Sequence, residues 1–254
     1  MLFTKYTSRF VVTAVGLLAA TLMGCSSGGG KSDGAEKASR TGAEGGKTAR
    51  KYKADDGRTI EIGRSEAADG GLRYNNPHME KGKCWLAEGF HFTGYDTLYI
   101  APTLSTATFN EKNQEEVMVH GLARERLVSV MEEYARRGGL FKQVVTRESD
   151  IPAGSKTLKL ENTILEFTKG GGAARYFVGL YGGGQPVLRV RGDATEGGKT
   201  MFSYEARRSG VSAGARVGGV FMKDEDIQIQ DIRSLVLDLT DFMAAVGGKY
   251  PPVD

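Results

Sequence analysis

From Tyr95 onward the apolar and polar positions follow two periods, and the change of period divides the chain into elements. "DTLYIAP" (96–102) alternates and stops at a proline, which predicts a strand. Between Glu115 and Arg137 the period becomes helical, placing Val119, Ala123, Leu127, Val130, Met131 and Tyr134 on one face. Glu132 with Arg136 and Glu133 with Arg137 form i,i+4 pairs in the favourable order, and Gly138–Gly139 ends the helix. "FKQVVT" (141–146) reads as a second strand. A strand, a helix and a strand in that order favour parallel pairing through a right-handed crossover.

Three longer alternating runs follow, at 157–167, 186–194 and 200–208. "TEGGK" joins the last two in a tight glycine turn and predicts a hairpin. The chain closes on a helix in which Ile229, Ile232, Leu235, Val236, Leu239, Phe242, Met243 and Val246 fall within about 140° of the wheel. Arg233, Asp238 and Asp241 lie outside that stripe, and Gly247–Gly248 and Pro251–Pro252 stop the helix. Each helix has one apolar stripe and so packs on something flat. The expected fold is α/β of the α+β kind, a two-layer mixed sheet of about five strands with two amphipathic helices on one face, over residues 95–248.

Upstream the pattern weakens. Residues 59–94 hold one short alternating run, "TIEI", then Asn-Pro and Gly turn signals among aromatics, so an irregular segment packed on the main domain is expected. Residues 26–58 contain almost no large apolar side chain and cannot offset the entropy of ordering, so 25–58 reads as a flexible, disordered tether. A Gly-rich coil of that length spans about 30 Å.

Lys5 and Arg9 precede an apolar run, "FVVTAVGLLAATLM", with the layout of an export signal. At about 14 residues it is short of the roughly 20 that span a bilayer. Leu22, Met23, Gly24 and Cys25 resemble a bacterial lipobox, which implies cleavage after Gly24 at the end of a 1–24 signal peptide and acylation of Cys25 as the new N-terminus. Serine at position 26, in proteobacterial lipoproteins, implies sorting to the outer membrane. The expected address is the periplasmic face of that membrane, held by several acyl chains including palmitate, with the inner membrane and the cell surface as alternatives.

Once Cys25 is acylated, Cys84 is the remaining thiol and no intrachain disulfide can form. Cys84 is expected as a half-buried packing residue, with an intermolecular disulfide as the sharper alternative. The 34 basic and 31 acidic residues nearly balance and give no case for nucleic acid. Residues 26–58 are the basic exception, with eight Lys and Arg against five Asp and Glu.

Candidate chemistry is sparse. "GVSAG" (210–214) matches G-x-S-x-G, but His78, His91 and His120 all precede Ser212, so the order Ser, acid, His cannot be built. "DATEGGKT" (193–200) imitates a phosphate loop yet leads into a strand instead of a helix. No metal-ligand spacing occurs and no cofactor is expected. His120, on the first helix's apolar stripe, is expected at the edge of the core, bonded to backbone. Arg189 and Arg191 share one side of their strand and Arg207–Arg208 end the next, the pattern of a solvated sheet face. "GGGAARYFVGLYGGG" (170–184) sets Arg175, Tyr176, Phe177, Leu180 and Tyr181 between glycine triplets, either a candidate partner-binding tip or a segment that folds back to extend the hairpin or cover the core.

The succession "YDTLYIAP", amphipathic helix, "FKQVV", "LKLENTILEFTKGG", "ARYFVGLYGGG", "VLRVRGDATEGG", "FSYEAR" and a closing helix resembles the bacterial lipoproteins grouped as domain of unknown function 4410, over residues 95–246. The resemblance implies a periplasm-facing lipoprotein without assigned activity. More distantly the arrangement is similar to the N-terminal α/β domains of envelope-assembly proteins, an analogy of fold that does not fix function. The expectation is a non-enzymatic binding or assembly protein of the cell envelope, held at a membrane and engaging an envelope protein partner. A small-ligand-binding lipoprotein is the alternative, and a hydrolase using Ser212 the third.

Overall fold

The computed structural model describes residues 49–66, 71–75, 83–171, 184, 186–209 and 224–253. They form a mixed sheet with two helices packed together against it. In chain order the elements are β1 (Ala49–Lys53), β2 (Thr59–Glu66), β3 (Gly71–Asn75), β4 (Lys83–Ala87), β5 (Thr97–Ile100), β6 (Leu104–Ser105), α1 (Gln114–Gly138), β7 (Gln143–Val145), β8 (Thr157–Thr168), β9 (Val187–Glu196), β10 (Lys199–Ser209), α2 (Asp224–Val246) and β11 (Pro252–Val253). The strand order is β11-β1-β2-β3-β4-β10-β9-β8-β5-β7, with β6 beside β8. β5 pairs in parallel with β7 and β8, as the α1 crossover requires, and the remaining pairs along the path are antiparallel.

The expected two-layer α+β arrangement is present, and its sheet is larger than five strands. Residues 59–94, expected to be irregular, supply β2, β3 and β4. Their turn signals fall between the strands, while Ile60, Ile62, Cys84 and Leu86 point inward at period two. After β4 a short 3-10 turn, Phe92–Gly94, follows, and it seats Phe92 edge-on to Phe202 at 5.1 Å between ring centres. The flexible tether expected through residue 58 gives way to strand at Ala49. β1 lacks apolar content, yet β2 and β11 both pair with its backbone, and that ladder supplies what its side chains do not.

Helix α1 begins where the Asn113 side chain accepts the backbone N–H groups of Glu115 and Glu116 at 3.1 and 3.3 Å. It ends at Gly139, whose φ of 62° suits glycine. The expected pairs are made, Glu132–Arg136 at 2.7 Å and Glu133–Arg137 at 2.6 Å. Its buried stripe and that of α2 cover the inner face of the three long strands, which contribute Leu158, Leu160, Val190, Phe202 and Tyr204.

The long strands are locked in one row. Asn162 of β8, Gly192 of β9 and Tyr204 of β10 are register partners. The Tyr204 hydroxyl passes over Gly192 and donates to Asn162 Oδ1 at 2.7 Å, and Asn162 Nδ2 reaches Met131 Sδ of α1 at 3.4 Å. A Cβ on Gly192 would lie 2.1 Å from the Tyr204 ring and 2.7 Å from Asn162 Oδ1. Only a residue without a side chain leaves room for the bond.

Arg208 corrects the reading of a wholly solvated Arg207–Arg208 end. Strand parity sends Arg207 outward to Glu166 and Arg208 inward, where its side chain is 2% exposed and paired with Asp238 of α2. Asp238 and Asp241 lie off the apolar stripe but face strand and loop cations, Asp241 accepting from Arg58 at 2.7 Å.

Three outcomes follow. Gly192→Ala is expected to lower stability by about 2–3 kcal/mol, since it displaces a buried ring and strands two polar groups; the midpoint of urea unfolding measures it. Asp238→Asn is expected to cost on the order of 3 kcal/mol by weakening the partner of a buried cation. Glu205→Gln, at an exposed pair, is expected to cost below about 1 kcal/mol in the same assay.

Candidate functional site

Strand alternation gives the sheet two unlike faces. The inner face carries the helices and the core. The outer face is polar, and among the described residues no helix packs on it. Its side chains stand in rows set by register. Lys83, Glu205, Arg191 and Thr163 make one row across β4, β10, β9 and β8, and Trp85, Ser203, Asp193 and Glu161 make the next.

The rows are tied by hydrogen bonds. Arg191 donates twice to Asp193, at 3.0 and 3.2 Å, and the Ser203 hydroxyl donates to Asp193 at 2.6 Å. Arg189 Nε donates to Glu205 at 2.9 Å, Arg207 Nε to Glu166 at 3.3 Å, and Lys159 lies 3.2 Å from Glu161. A bulge at Leu165 makes part of this possible. Strict alternation from Leu158 would turn Glu166 inward, and the extra residue re-phases β8 so that Glu166 faces out and Phe167 enters the core. At the β4 side of this face lies an open cleft of about 460 Å³ lined by Lys83, Trp85, Arg191, Thr200, Ser203 and Glu205. Trp85 is half-buried.

Other concavities differ in character. A notch of about 140 Å³ between α1 and α2, lined by Val119, Leu122 and Ile232, falls below the few hundred Å³ of ordinary ligand sites. A cleft of about 450 Å³ beside the C-terminus of α2 is filled with paired charge. There Arg58 bonds Asp241 and Asp56, Tyr250 donates to Asp241 at 3.1 Å, and Lys249 reaches the Gly138 carbonyl at 2.7 Å. Burial, and after it the Asp241 charge, push the Tyr250 hydroxyl up to about 12.

The residues singled out from sequence fare unevenly. Gly24, Cys25, Ser212 and the tip residues Arg175, Tyr176, Phe177, Leu180 and Tyr181 lie outside the described residues. The 193–200 stretch is a hairpin turn, with Gly197 and Gly198 at φ of 55° and 84°. Cys84 is fully buried, not half-buried, on the inner face, and burial pushes its thiol up, so it is not the exposed thiolate that a disulfide to a partner requires.

His120 is buried, but its bond is to a side chain and not to backbone: Nε2 meets Ser105 Oγ at 2.9 Å. The ring stacks on Phe109 at 4.2 Å and stands edge-on to Phe167 at 4.9 Å, which secures the β6 segment over α1. Burial, then the charge of Arg124, push its pKa down. Trp85 was not singled out, because its neighbourhood read as irregular. The signal was present in "KCWLA", whose alternation puts Lys83 and Trp85 on one face and Cys84 and Leu86 on the other.

Among the described residues no group of three or more His, Cys, Asp or Glu could hold a metal ion, and no helix is long and apolar enough to cross a membrane. No protein-family model matches the chain, and the comparison with curated proteins gives no match. Among solved structures, the PelC dodecamer from Paraburkholderia phytofirmans is similar at 13% identity and a TM-score of 0.40, covering 63% of this chain and 96% of that one. A single-substitution variant of the same dodecamer gives 14% identity and a TM-score of 0.37, covering 63% and 97%.

The His120 environment sets a sign. The folded state holds this imidazole neutral below its ordinary pKa of 6.5, so the unfolded state takes up the proton first as pH falls. His120 is therefore expected to make stability fall as pH drops below about 6.5. Urea unfolding at pH 7.5 and pH 5.5 measures the loss, and His120→Gln should shrink it.

Proposed function

We propose that this chain is a lipid-anchored, periplasm-facing envelope protein that acts by binding or assembly without catalysis, and that the outer face of its sheet is the binding surface. The observation that carries the reading is the state of that face. Its charged groups are engaged with one another in ordered rows, an arrangement suited to contact over an area; turnover needs a nucleophile beside a base.

Two further features support it. The lipobox-like Leu22–Cys25 segment and the likeness to the 4410 lipoproteins favour acylation of Cys25. β1 lies near one margin of the sheet, paired to β11 and β2, so the chain leading from the anchor joins at that margin, separated from β4 by β2 and β3. The face over β4, β10, β9 and β8 carries no helix among the described residues, and Ser26 supports placement on the outer membrane.

Fractionation of expressing cells tests the anchor. Wild-type protein is expected in the outer-membrane fraction, and Cys25→Ser in the soluble periplasm. A Cys25→Ser protein that stays with membranes, or a mature wild-type chain whose mass lacks acyl groups, would overturn the reading.

A further inference from the structure

Trp85 is the single tryptophan of the 254-residue chain, and it stands on the charged face instead of in the core. Its register partner is Ser203, and it lines the open cleft of about 460 Å³ with Lys83, Arg191, Thr200 and Glu205. We propose that this surface binds a polysaccharide chain, read through the apolar faces and hydroxyl groups of its sugars and not through charge. The proposal rests on the reading of the outer face as this protein's binding surface.

Three features of the site select that ligand. An indole supplies a flat, rigid apolar surface with an N–H at its edge, which matches the C–H face of a pyranose ring. Beside it stand guanidinium, carboxylate and hydroxyl groups, donors and acceptors intermixed, whereas a sugar hydroxyl is both. Those groups are already held, Arg191 twice by Asp193 and Ser203 once, so little side-chain freedom is left to lose when a ligand arrives.

Charge distinguishes this occupant from others. The outer rows of β4, β10, β9 and β8 hold five basic residues, Lys83, Lys159, Arg189, Arg191 and Arg207, against four acidic ones, Glu161, Glu166, Asp193 and Glu205. A face so nearly balanced exerts no long-range pull on a polyanion or a polycation. The centre of a protein interface is depleted of Lys, Glu, Asp and Ser, whereas Lys83, Glu205, Asp193 and Ser203 all stand around this indole. The cleft is open, which suits a stretch of polymer better than one enclosed sugar.

The lone tryptophan makes the test direct. The full mature chain, purified in detergent, is titrated with neutral hexasaccharides (malto-, laminari-, cello- and N-acetylchito-hexaose) and with alginate and chitosan hexamers, while tryptophan emission is followed. The expected result is a saturable change with at least one neutral hexamer, its midpoint unaltered between low and high salt. Affinity electrophoresis in gels containing that glycan then compares variants. Trp85→Ala, checked for native circular dichroism, should weaken retardation about ten-fold or more, and Arg191→Gln, a substitution away from the ring, several-fold.

Silence from every neutral hexamer, binding confined to a charged hexamer with steep salt dependence, wild-type retardation by Trp85→Ala, or a protein crosslinked through residue 85 would each overturn the proposal. The anchoring reading fails separately, since a Cys25→Ser protein retained on membranes leaves the titration unaffected.

Discussion

The structure depends on a hydroxyl passing over a glycine. Tyr204 reaches across β9 to Asn162 of β8, and only the missing side chain of Gly192 lets it do so. That bond joins three strands in one row, and Asn162 extends it to α1 through Met131. Register in a sheet has period two, so a slip by one residue would exchange its faces. Here it would drive Arg189, Arg191, Asp193 and Glu205 under the helices and expose Leu188, Val190 and Tyr204. One buried polar bond, surrounded by apolar packing on the order of 2 kcal/mol per large side chain, thus keeps the charged face and the core apart.

Charge is handled in two ways on the two faces. On the outer face the pairs are exposed, individually weak, and effective through the order they impose on neighbours. Inside, Arg208 with Asp238 joins β10 to α2, where removing a partner is costly because the remaining ion cannot be rehydrated, while Arg58, itself 43% exposed, ties the loop ahead of β2 to the buried Asp241. The second pair also gathers both ends of the described chain. Asp241 receives Arg58, just ahead of β2, and Tyr250, just ahead of β11, and β11 then pairs with β1.

Legibility along the sequence tracks how much of each element's stability is local. Helices α1 and α2 were readable because Leu127, Met131, Leu235 and Leu239 repeat at helical spacing and Gly139 marks an end. Strands β8, β9 and β10 were readable because half their residues face a core and half face water. β1 and β3 were not. Pairing on both sides forms them, a property of the neighbours' backbones. Trp85 was lost with that region, although its alternation with Cys84 and Leu86 was there to be read.

By itself the sequence determined the periods, and with them the helices, the long strands, the tight turn at Gly197–Gly198 and the setting of Arg189 and Arg191 on one side of β9, because these follow from neighbours a few residues apart. Tertiary structure alone decided which side a given residue takes after a bulge, as at Glu166 and Phe167. It also decided that Arg208 and Asp241 are buried ion-pair partners, that Cys84 is sealed in the core, and that Trp85 shares a cleft with Arg191 and Ser203. Those outcomes depend on residues up to 183 positions apart, as with Arg58 and Asp241, brought together only when strands pair and a helix settles on them.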